Sequence, residues 1–221
     1  MSKHAAVPFV APFAAFIVLL GLRSGFSLNP RWEYPFQVVV VTAVVLLVSR
    51  QAISWRIQQP LSSIGVGVAV FAIWIGPDLL FPGYRHHWIF ENSLMGSAAS
   101  SLHPDVRLNE TFLAFRIFGT ALLVPVVEEL FWRGWLMRYL INPDFQKVPL
   151  GSYSSIAFWA TAVLFATEHG PYWEVGLAAG LIYNLWVMRT RNLMDCIVAH
   201  SVTNALLAVY VVGFGRWEYW L

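Results

Sequence analysis

The chain has 221 residues, a net charge of +2, and only 12% charged against 58% hydrophobic residues. Soluble domains carry about 25% charged residues, so a water-soluble fold of this composition would lack a polar surface. A lipid bilayer removes that requirement, and the mean hydropathy of +0.61 therefore predicts an integral membrane protein. The small net charge, without any basic run, argues against nucleic-acid binding. One cysteine, Cys196, allows neither an intrachain disulfide nor a cysteine-based zinc site.

Apolar runs long enough to cross a bilayer recur along the whole chain. We find seven, and no internal repeat or second domain interrupts them, so we predict one all-α, polytopic transmembrane helix bundle over residues 1–221, with seven or eight spans. The approximate ranges are 7–22, 35–49, 61–81, 111–141, 153–169, 173–188 and 193–214. We interpret the first run as a retained helix rather than a signal peptide, because no clear small-residue cleavage site follows it.

Three features of this pattern lead to more detailed predictions. Gly65 and Gly67 in the third run predict a close contact with another helix. The fourth run is longer than the bilayer is thick, which predicts a tilt, a break near Pro125 or an interfacial extension. The polar stretch 82–109 predicts an extramembrane loop or a surface helix, with the apolar residues 88–90 dipping into the membrane interface.

Two adjacent glutamates stand inside the fourth apolar run. Ionisable side chains in a span cost about 2.5 to 3.5 kcal/mol each to insert, which makes them functional candidates. Glu129 and Arg133 are four residues apart and are predicted to form an ion pair on one helix face. Glu128 points about 100° away, so it is less compensated and suits a general base. The alternative is a structural Glu–Arg pair whose neighbour extends toward the interface.

Two further clusters each contain a histidine. His169 ends the fifth run, a place where a lone histidine is more often a helix cap or an interface residue. Its neighbour Glu168 faces another side of the helix. His200 and Asn204 in the seventh run are four residues apart and therefore share one face. Such a pair serves either a functional site or hydrogen bonding between helices.

Taken together, the three clusters resemble the signature of the CAAX protease and bacteriocin-processing family of intramembrane proteases, which includes the type II CAAX prenyl endopeptidases. That signature has two glutamates followed by an arginine, then Phe-x-x-x-His, then His-x-x-x-Asn. Every position is filled here, by Glu128, Glu129, Arg133, Phe165, His169, His200 and Asn204. The resemblance covers about residues 111–212, and the first three spans carry no motif. The short chain is also similar to the subgroup found near bacterial exosortase sorting systems.

The resemblance implies a hydrolytic mechanism. Glu128 with His169 would activate a water molecule for attack on the scissile carbonyl, and His200 with Asn204 would hold a metal or stabilise the oxyanion. Glu128, His169 and His200 would also suit one divalent metal, zinc, with an open position for water. The same residues suit metal-free catalysis equally well. The supporting positions implied by the family are Glu129, Arg133 and Phe165.

The leading prediction is thus a CAAX-type intramembrane endopeptidase that cleaves a protein or lipidated peptide near the membrane, with no prenyl group assumed. Its expected partners are membrane lipid and a membrane-associated peptide or protein substrate. Its expected location is the bacterial inner (plasma) membrane, with several passes. One alternative is a non-catalytic membrane protein of the same fold with an immunity or scaffold role. Another is a transporter, although transporters usually show paired broken helices, and no such repeat is visible.

Overall fold

The computed structural model describes residues 4–22, 29–100 and 102–220. Within these ranges the chain is helical, without a β-strand and with a single isolated bridge between Asn92 and Gly96. This confirms the all-α prediction. The helices are α1 (Val7–Leu22), α2 (Pro30–Ser49), α3 (Pro60–Leu80), α4 (Glu110–Tyr139), α5 (Ser155–Thr167), α6 (Trp173–Thr190) and α7 (Leu193–Phe214).

Each predicted apolar run corresponds to one of these helices. Four of them, α2, α3, α4 and α7, are long and apolar enough to cross a membrane by length and composition, and α1 and α5 are shorter apolar helices. The largest difference from the sequence prediction is the start of α2, which begins at Pro30. There the Asn29 side chain accepts a hydrogen bond from the Arg31 amide at 3.0 Å. An asparagine cap followed by proline is a strong helix start, because it satisfies exposed amides and presets the first turn.

Helix α4 runs without a break through Pro125, so that expected break is absent. Two wide, π-helical segments interrupt its regular geometry, Gly119–Leu123 and Leu130–Leu136. At the end of the first, the Val124 amide donates to the carbonyl of Gly119, five residues back. With the same five-residue spacing, the Thr120 carbonyl would accept a hydrogen bond from the amide of residue 125, but residue 125 is a proline and has no N–H. The Thr120 carbonyl is therefore left for a partner on another helix.

Helices α3 and α7 pack closely at Gly67. A Cβ on Gly67 would overlap the Ala199 carbonyl oxygen and lie 2.7 Å from Cβ of Val202. The Thr203 hydroxyl donates to the Gly67 carbonyl at 2.9 Å. The predicted contact is confirmed at Gly67 and wrong at Gly65, where an added Cβ would meet nothing within 4 Å. Two residues apart on a helix, the two glycines face different directions.

The segment between α3 and α4 contains no long surface helix in its described part, only short 3₁₀ turns at Tyr84–His86 and Pro104–Val106. Trp88 and Ile89 are exposed, as the interface prediction requires, but Phe90 is buried and packs on Tyr84 with ring centroids 4.6 Å apart. This segment contacts the chain end, because the Ser100 hydroxyl donates to the Trp220 carbonyl at 3.2 Å.

A buried ion cluster ties this end of the bundle together. Arg85 is only 6% exposed, and it donates to Asp78 at 3.0 Å and to the Pro171 carbonyl at 2.8 Å. It also forms an ion pair with Glu174 at 2.6 Å. The Tyr219 hydroxyl donates to the other oxygen of Asp78 at 2.8 Å. The end of α3, the start of α6 and the chain end are thereby joined around one guanidinium.

Candidate active site

The four predicted catalytic side chains, which come from three parts of the chain, line one cavity of about 160 Å³. We call it the central cavity. Glu128 comes from α4, His169 from the turn after α5, and His200 and Asn204 from α7. The other lining residues are Trp74, Arg116, Thr120, Val124, Phe165, Ala179, Tyr183, Thr203, Leu207, Tyr219 and Trp220.

Glu129 and Arg133 form the ion pair that their spacing predicts. Both side chains are fully buried, and Nη1 of Arg133 donates to Oε1 of Glu129 at 3.0 Å. The guanidinium also donates to the Asn184 side chain at 2.9 Å and to the Gly180 carbonyl at 3.1 Å. Its Cζ lies 4.6 Å from the centre of the Phe165 ring. A buried charge held by this many partners fixes the position of α4 against α5 and α6.

Glu129 has a second role that the sequence did not indicate, because it also orients His200. Nδ1 of His200 lies 2.9 Å from Oε1 of Glu129, and the ring stacks on Tyr183 with centroids 4.8 Å apart. Glu129 is paired with Arg133 and accepts hydrogen bonds, so Nδ1 of His200 is the donor. Nε2 is then left for chemistry, and it lies 4.0 Å from Oε2 of Glu128.

His169 is oriented in the same way. Its Nδ1 lies 2.8 Å from the Phe165 carbonyl oxygen. A carbonyl only accepts hydrogen bonds, so Nδ1 carries the proton and Nε2 is the nitrogen left for other partners. The ring also meets Trp74 edge to face, with centroids 5.1 Å apart. Space for it comes from Gly176, where a Cβ would lie 2.9 Å from Nδ1.

Asn204 uses the carbonyl that α4 leaves without a backbone donor. Its Nδ2 donates to the Thr120 carbonyl at 2.9 Å. An amide nitrogen carries two hydrogens, so this bond fixes the side chain and leaves one hydrogen for a further acceptor. The wide turn before Pro125 is thus part of the site, because it supplies the acceptor that holds Asn204.

Glu128 is the least compensated member of the group. Its side chain is 12% exposed, and among the described residues Oε2 is buried without a hydrogen-bond partner. Buried polar atoms normally have partners, and an exception invites a functional explanation. An acceptor oxygen that faces a cavity beside a histidine nitrogen is well placed to bind a water molecule.

The three expected metal ligands, Glu128, His169 and His200, all line the central cavity. Among the described residues, no three His, Cys, Asp or Glu side chains are grouped closely enough to hold an ion. Glu129 is occupied by Arg133 and His200. The histidine orientation alone is compatible with metal binding, because ligating histidines usually donate their other N–H to an acceptor. A metal held by Glu128, His169 and His200 therefore stays a prediction.

Several residues that shape the site were missed in the sequence. Tyr183 supports the His200 ring, and its hydroxyl donates to Thr203 at 2.8 Å. Asn184 joins Arg133 to the Phe158 carbonyl, to which it donates at 2.9 Å. One signal was present on α6, where Gly176, Gly180 and Asn184 recur every four residues. Small residues at that spacing mark a face where helices approach closely.

Comparison with known families supports the motif assignment. Residues 110–206 match the family described as Rce1-like, type II CAAX prenyl endopeptidase Rce1-like. The matched segment contains all seven motif positions, from Glu128 to Asn204. No curated protein and no solved structure matches the chain.

Proposed function

We propose that this chain, whose residues 110–206 match the Rce1-like family of type II CAAX prenyl endopeptidases, cleaves peptide bonds by a glutamate- and histidine-activated water molecule. The family is one of proteases, and the long apolar helices make the chain an integral membrane protein. The finer proposal is that the central cavity is the place of hydrolysis. Its substrate would be a membrane-associated protein or a lipidated peptide, cleaved close to the bilayer.

One observation carries this proposal. The same cavity is lined by a partly compensated carboxylate, by two histidines whose Nδ1 atoms already donate hydrogen bonds, and by one anchored amide. Both histidines therefore present Nε2, and neither can rotate without losing a hydrogen bond to a buried acceptor. Preorganised groups of this kind stabilise a transition state without reorganising during the reaction.

In the proposed step, Glu128 accepts a proton from a water molecule whose oxygen attacks the scissile carbonyl carbon. Nε2 of His169 positions that water. Negative charge then develops on the carbonyl oxygen, which would accept hydrogen bonds from the remaining amide hydrogen of Asn204 and from Nε2–H of a His200 imidazolium, since a neutral ring that donates through Nδ1 has no hydrogen on Nε2. The proton on Glu128 passes to the leaving nitrogen as the carbon–nitrogen bond breaks. The products are one carboxylic acid and one amine, so one water is consumed per bond.

No step of this proposal passes through a metal. A divalent ion such as zinc stays a separate proposal, with Glu128, His169 and His200 as its expected ligands. Zinc at such a site would activate the attacking water by lowering its pKa. The bacterial inner membrane likewise belongs to the proposal.

The test uses the purified protein in detergent with a library of lipidated and plain membrane peptides. We expect Glu128→Gln to lower the cleavage rate by roughly 100-fold or more, in line with the loss of a general base. His169→Ala and His200→Ala should have effects of similar size. His103→Ala is the matched control, because this histidine is exposed and lies outside the central cavity. Parallel reactions with a chelator, with and without added zinc, test the metal.

Cleavage that survives in Glu128→Gln at the wild-type rate would contradict the proposed mechanism. Cleavage of no peptide by the wild-type protein would contradict protease activity toward the substrates tested, and would favour the non-catalytic alternative. A chelator-sensitive rate that zinc restores would establish a metal-dependent route, and the metal-free step above would then be wrong.

A further inference from the structure

A buried arginine, Arg116, lines the central cavity in addition to the motif residues. Arg116 is 8% exposed and lies on α4, on the side of the cavity closed by Tyr219 and Trp220. Its Cζ is 4.5 Å from the centre of the Tyr34 ring and 5.5 Å from that of Trp220. None of the sequence motifs includes this residue.

Arg116 and Glu128 lie on the same face of α4. Arg116, Thr120, Val124 and Glu128 follow one another at intervals of four residues, and all four line the central cavity. At a rise of 1.5 Å per residue, the two charged positions are roughly 18 Å apart along the axis. An extended peptide advances about 3.3 Å per residue. Consider a peptide that lies along this face with its cleaved bond at Glu128. Once the length of the arginine side chain is included, a group on the peptide three to five residues from that bond would lie next to Arg116.

The chemistry of the ligand follows from what buried arginines bind in this protein. Arg85 holds Asp78 at 3.0 Å, and Arg133 holds Glu129 at the same distance. The planar guanidinium presents paired donors that match the two oxygens of a carboxylate. A peptide offers that group either at its C-terminus or on an acidic side chain.

We propose that Arg116 binds a carboxylate of the peptide substrate, a few residues from the scissile bond, and so sets where the bond is cut. This inference rests on the proposed function, because it places the carboxylate in the same cavity as Glu128. It makes Arg116 a specificity residue that takes no part in the proton transfers. The aromatic rings around the guanidinium would exclude water from the ion pair and strengthen it.

The decisive experiment uses three versions of one cleaved peptide. The first has a free C-terminal carboxylate, the second a C-terminal amide, and the third an amide with a glutamate as its last residue. Each is assayed with wild type, Arg116→Gln and Arg116→Lys. Hydrogen bonds to charged groups contribute about 1.5 to 3 kcal/mol, so amidation should lower wild-type kcat/KM by roughly 10- to 100-fold, mainly through KM. Arg116→Gln should cleave the acid and the amide equally, and Arg116→Lys should keep part of the preference.

The third peptide identifies the source of the carboxylate. Recovery of wild-type cleavage by the terminal glutamate would show that a side-chain carboxylate suffices, whereas its failure would assign the site to the chain end. Glu33→Gln is the structural control, because Glu33 and Arg116 both line a second cavity of about 230 Å³ beside the first. It should leave the acid-to-amide preference unchanged.

Equal cleavage of acid and amide by the wild-type protein would overturn the inference, while leaving protease activity established. A uniform loss on both peptides in Arg116→Gln would also overturn it, since that result indicates a structural role.

Should the wild type cleave none of the peptides, binding to Glu128→Gln can still be measured through the fluorescence of Trp74 and Trp220, which line the cavity. The carboxylate site is supported if Glu128→Gln binds the acid more tightly than the amide and the double variant Glu128→Gln, Arg116→Gln does not. Equal binding of the two peptides by Glu128→Gln would reject it.

Discussion

Glu128 and Glu129 are neighbours in the sequence, but the bundle surrounds their carboxylates differently. Glu129 accepts from Arg133 at 3.0 Å, from His200 at 2.9 Å and from the Cys196 thiol at 3.3 Å. Oε2 of Glu128 has no hydrogen-bond partner among the described residues. A fully partnered carboxylate stabilises the fold, whereas an unpartnered one in a cavity costs stability and is available to a substrate.

Replacing each glutamate by glutamine should therefore separate stability from activity. Breaking a buried ion pair by removing one partner costs roughly 3 to 5 kcal/mol, so Glu129→Gln should lower the melting temperature in detergent clearly. Glu128→Gln should leave the melting temperature unchanged or raise it, while abolishing cleavage. Thermal unfolding and initial rates measured on the same preparations give both readouts. Equal destabilisation by the two substitutions would contradict the different surroundings described here.

The position of His169 offers a second test at the residue scale. An alanine at residue 176 would bring its Cβ to 2.9 Å from Nδ1 and 3.0 Å from Cγ of the imidazole, so the ring must move. Alanine inside a helix is favoured over glycine by about 0.5 to 1 kcal/mol, so weakened helix formation would not explain a loss of activity. We expect Gly176→Ala to lower kcat by at least about tenfold, since misplacing a catalytic group by 1 Å can cost roughly 100-fold. Gly213→Ala, at a glycine with open space around it, should behave like the wild type.

The sequence identified the motif residues of the cavity but not their supports. Glu128, His169, His200 and Asn204 stood out because polar groups are rare in apolar helices. Tyr183 and the carbonyl of Thr120 gave no such signal. An aromatic residue in a membrane helix is ordinary, and every residue has a carbonyl, so only the three-dimensional arrangement reveals these partners.

At the scale of the helix, α4 is shaped by its proline. The Thr120 carbonyl has no backbone donor because the turn is wide and Pro125 has no N–H. Wide turns of this type occur often at functional sites. Here the consequence is local, because the freed carbonyl accepts the hydrogen bond that holds Asn204. The proline thus affects the position of Asn204 through the backbone.

Pro125→Ala should restore a backbone donor to Thr120. The new amide would reach that carbonyl if the wide turn persists, and the Val124 amide would do so if the helix becomes regular. Either bond competes with Asn204. Asn204 is the proposed oxyanion donor, and removing one such donor costs roughly 100- to 1,000-fold in kcat. Loosening the Asn204 side chain without removing it should therefore cost about tenfold. We expect this loss in kcat with little change in KM or melting temperature, measured by steady-state kinetics.

A double-mutant cycle separates this effect from a general change in the helix. In an Asn204→Ala background, Pro125→Ala should have almost no further effect, because no Asn204 amide is left for the new backbone donor to displace from the Thr120 carbonyl. Pro12→Ala, at a buried proline inside α1, is the matched control and should leave kcat unchanged. Additive losses in the cycle would rule out the link between Pro125 and Asn204.

At the scale of the whole molecule, hydropathy and length were sufficient to find the helices, because burial in lipid demands long apolar segments. Their packing was not predictable in the same way. Residues 82–109 were expected to form a loop or a surface helix, yet Arg85 from this segment is the centre of a buried ion cluster. Partners such as Asp78 and Glu174 lie on other elements, and pairing between distant segments leaves no local pattern in a single sequence.

The contact between α3 and α7 sets how closely the motif-bearing helix approaches the rest of the bundle. Gly67 lies against the backbone of Ala199, the residue just before His200. Thr203 also donates to the Gly67 carbonyl. A change at Gly67 therefore acts on the helix face that carries the site, even though residue 67 does not line the central cavity.

Gly67→Ala should separate these helices and so lower both stability and activity. The added Cβ meets backbone, which cannot rotate away as a side chain can, and overpacking of this kind costs roughly 1 to 3 kcal/mol. Gly65→Ala provides a control on the same helix, since its Cβ would meet nothing within 4 Å. We expect a lower melting temperature and a slower cleavage rate for Gly67→Ala only, measured by thermal unfolding and peptide assay in the same detergent. If both alanine variants behaved like the wild type, α3 and α7 would not be in the close contact that places His200 opposite Glu128.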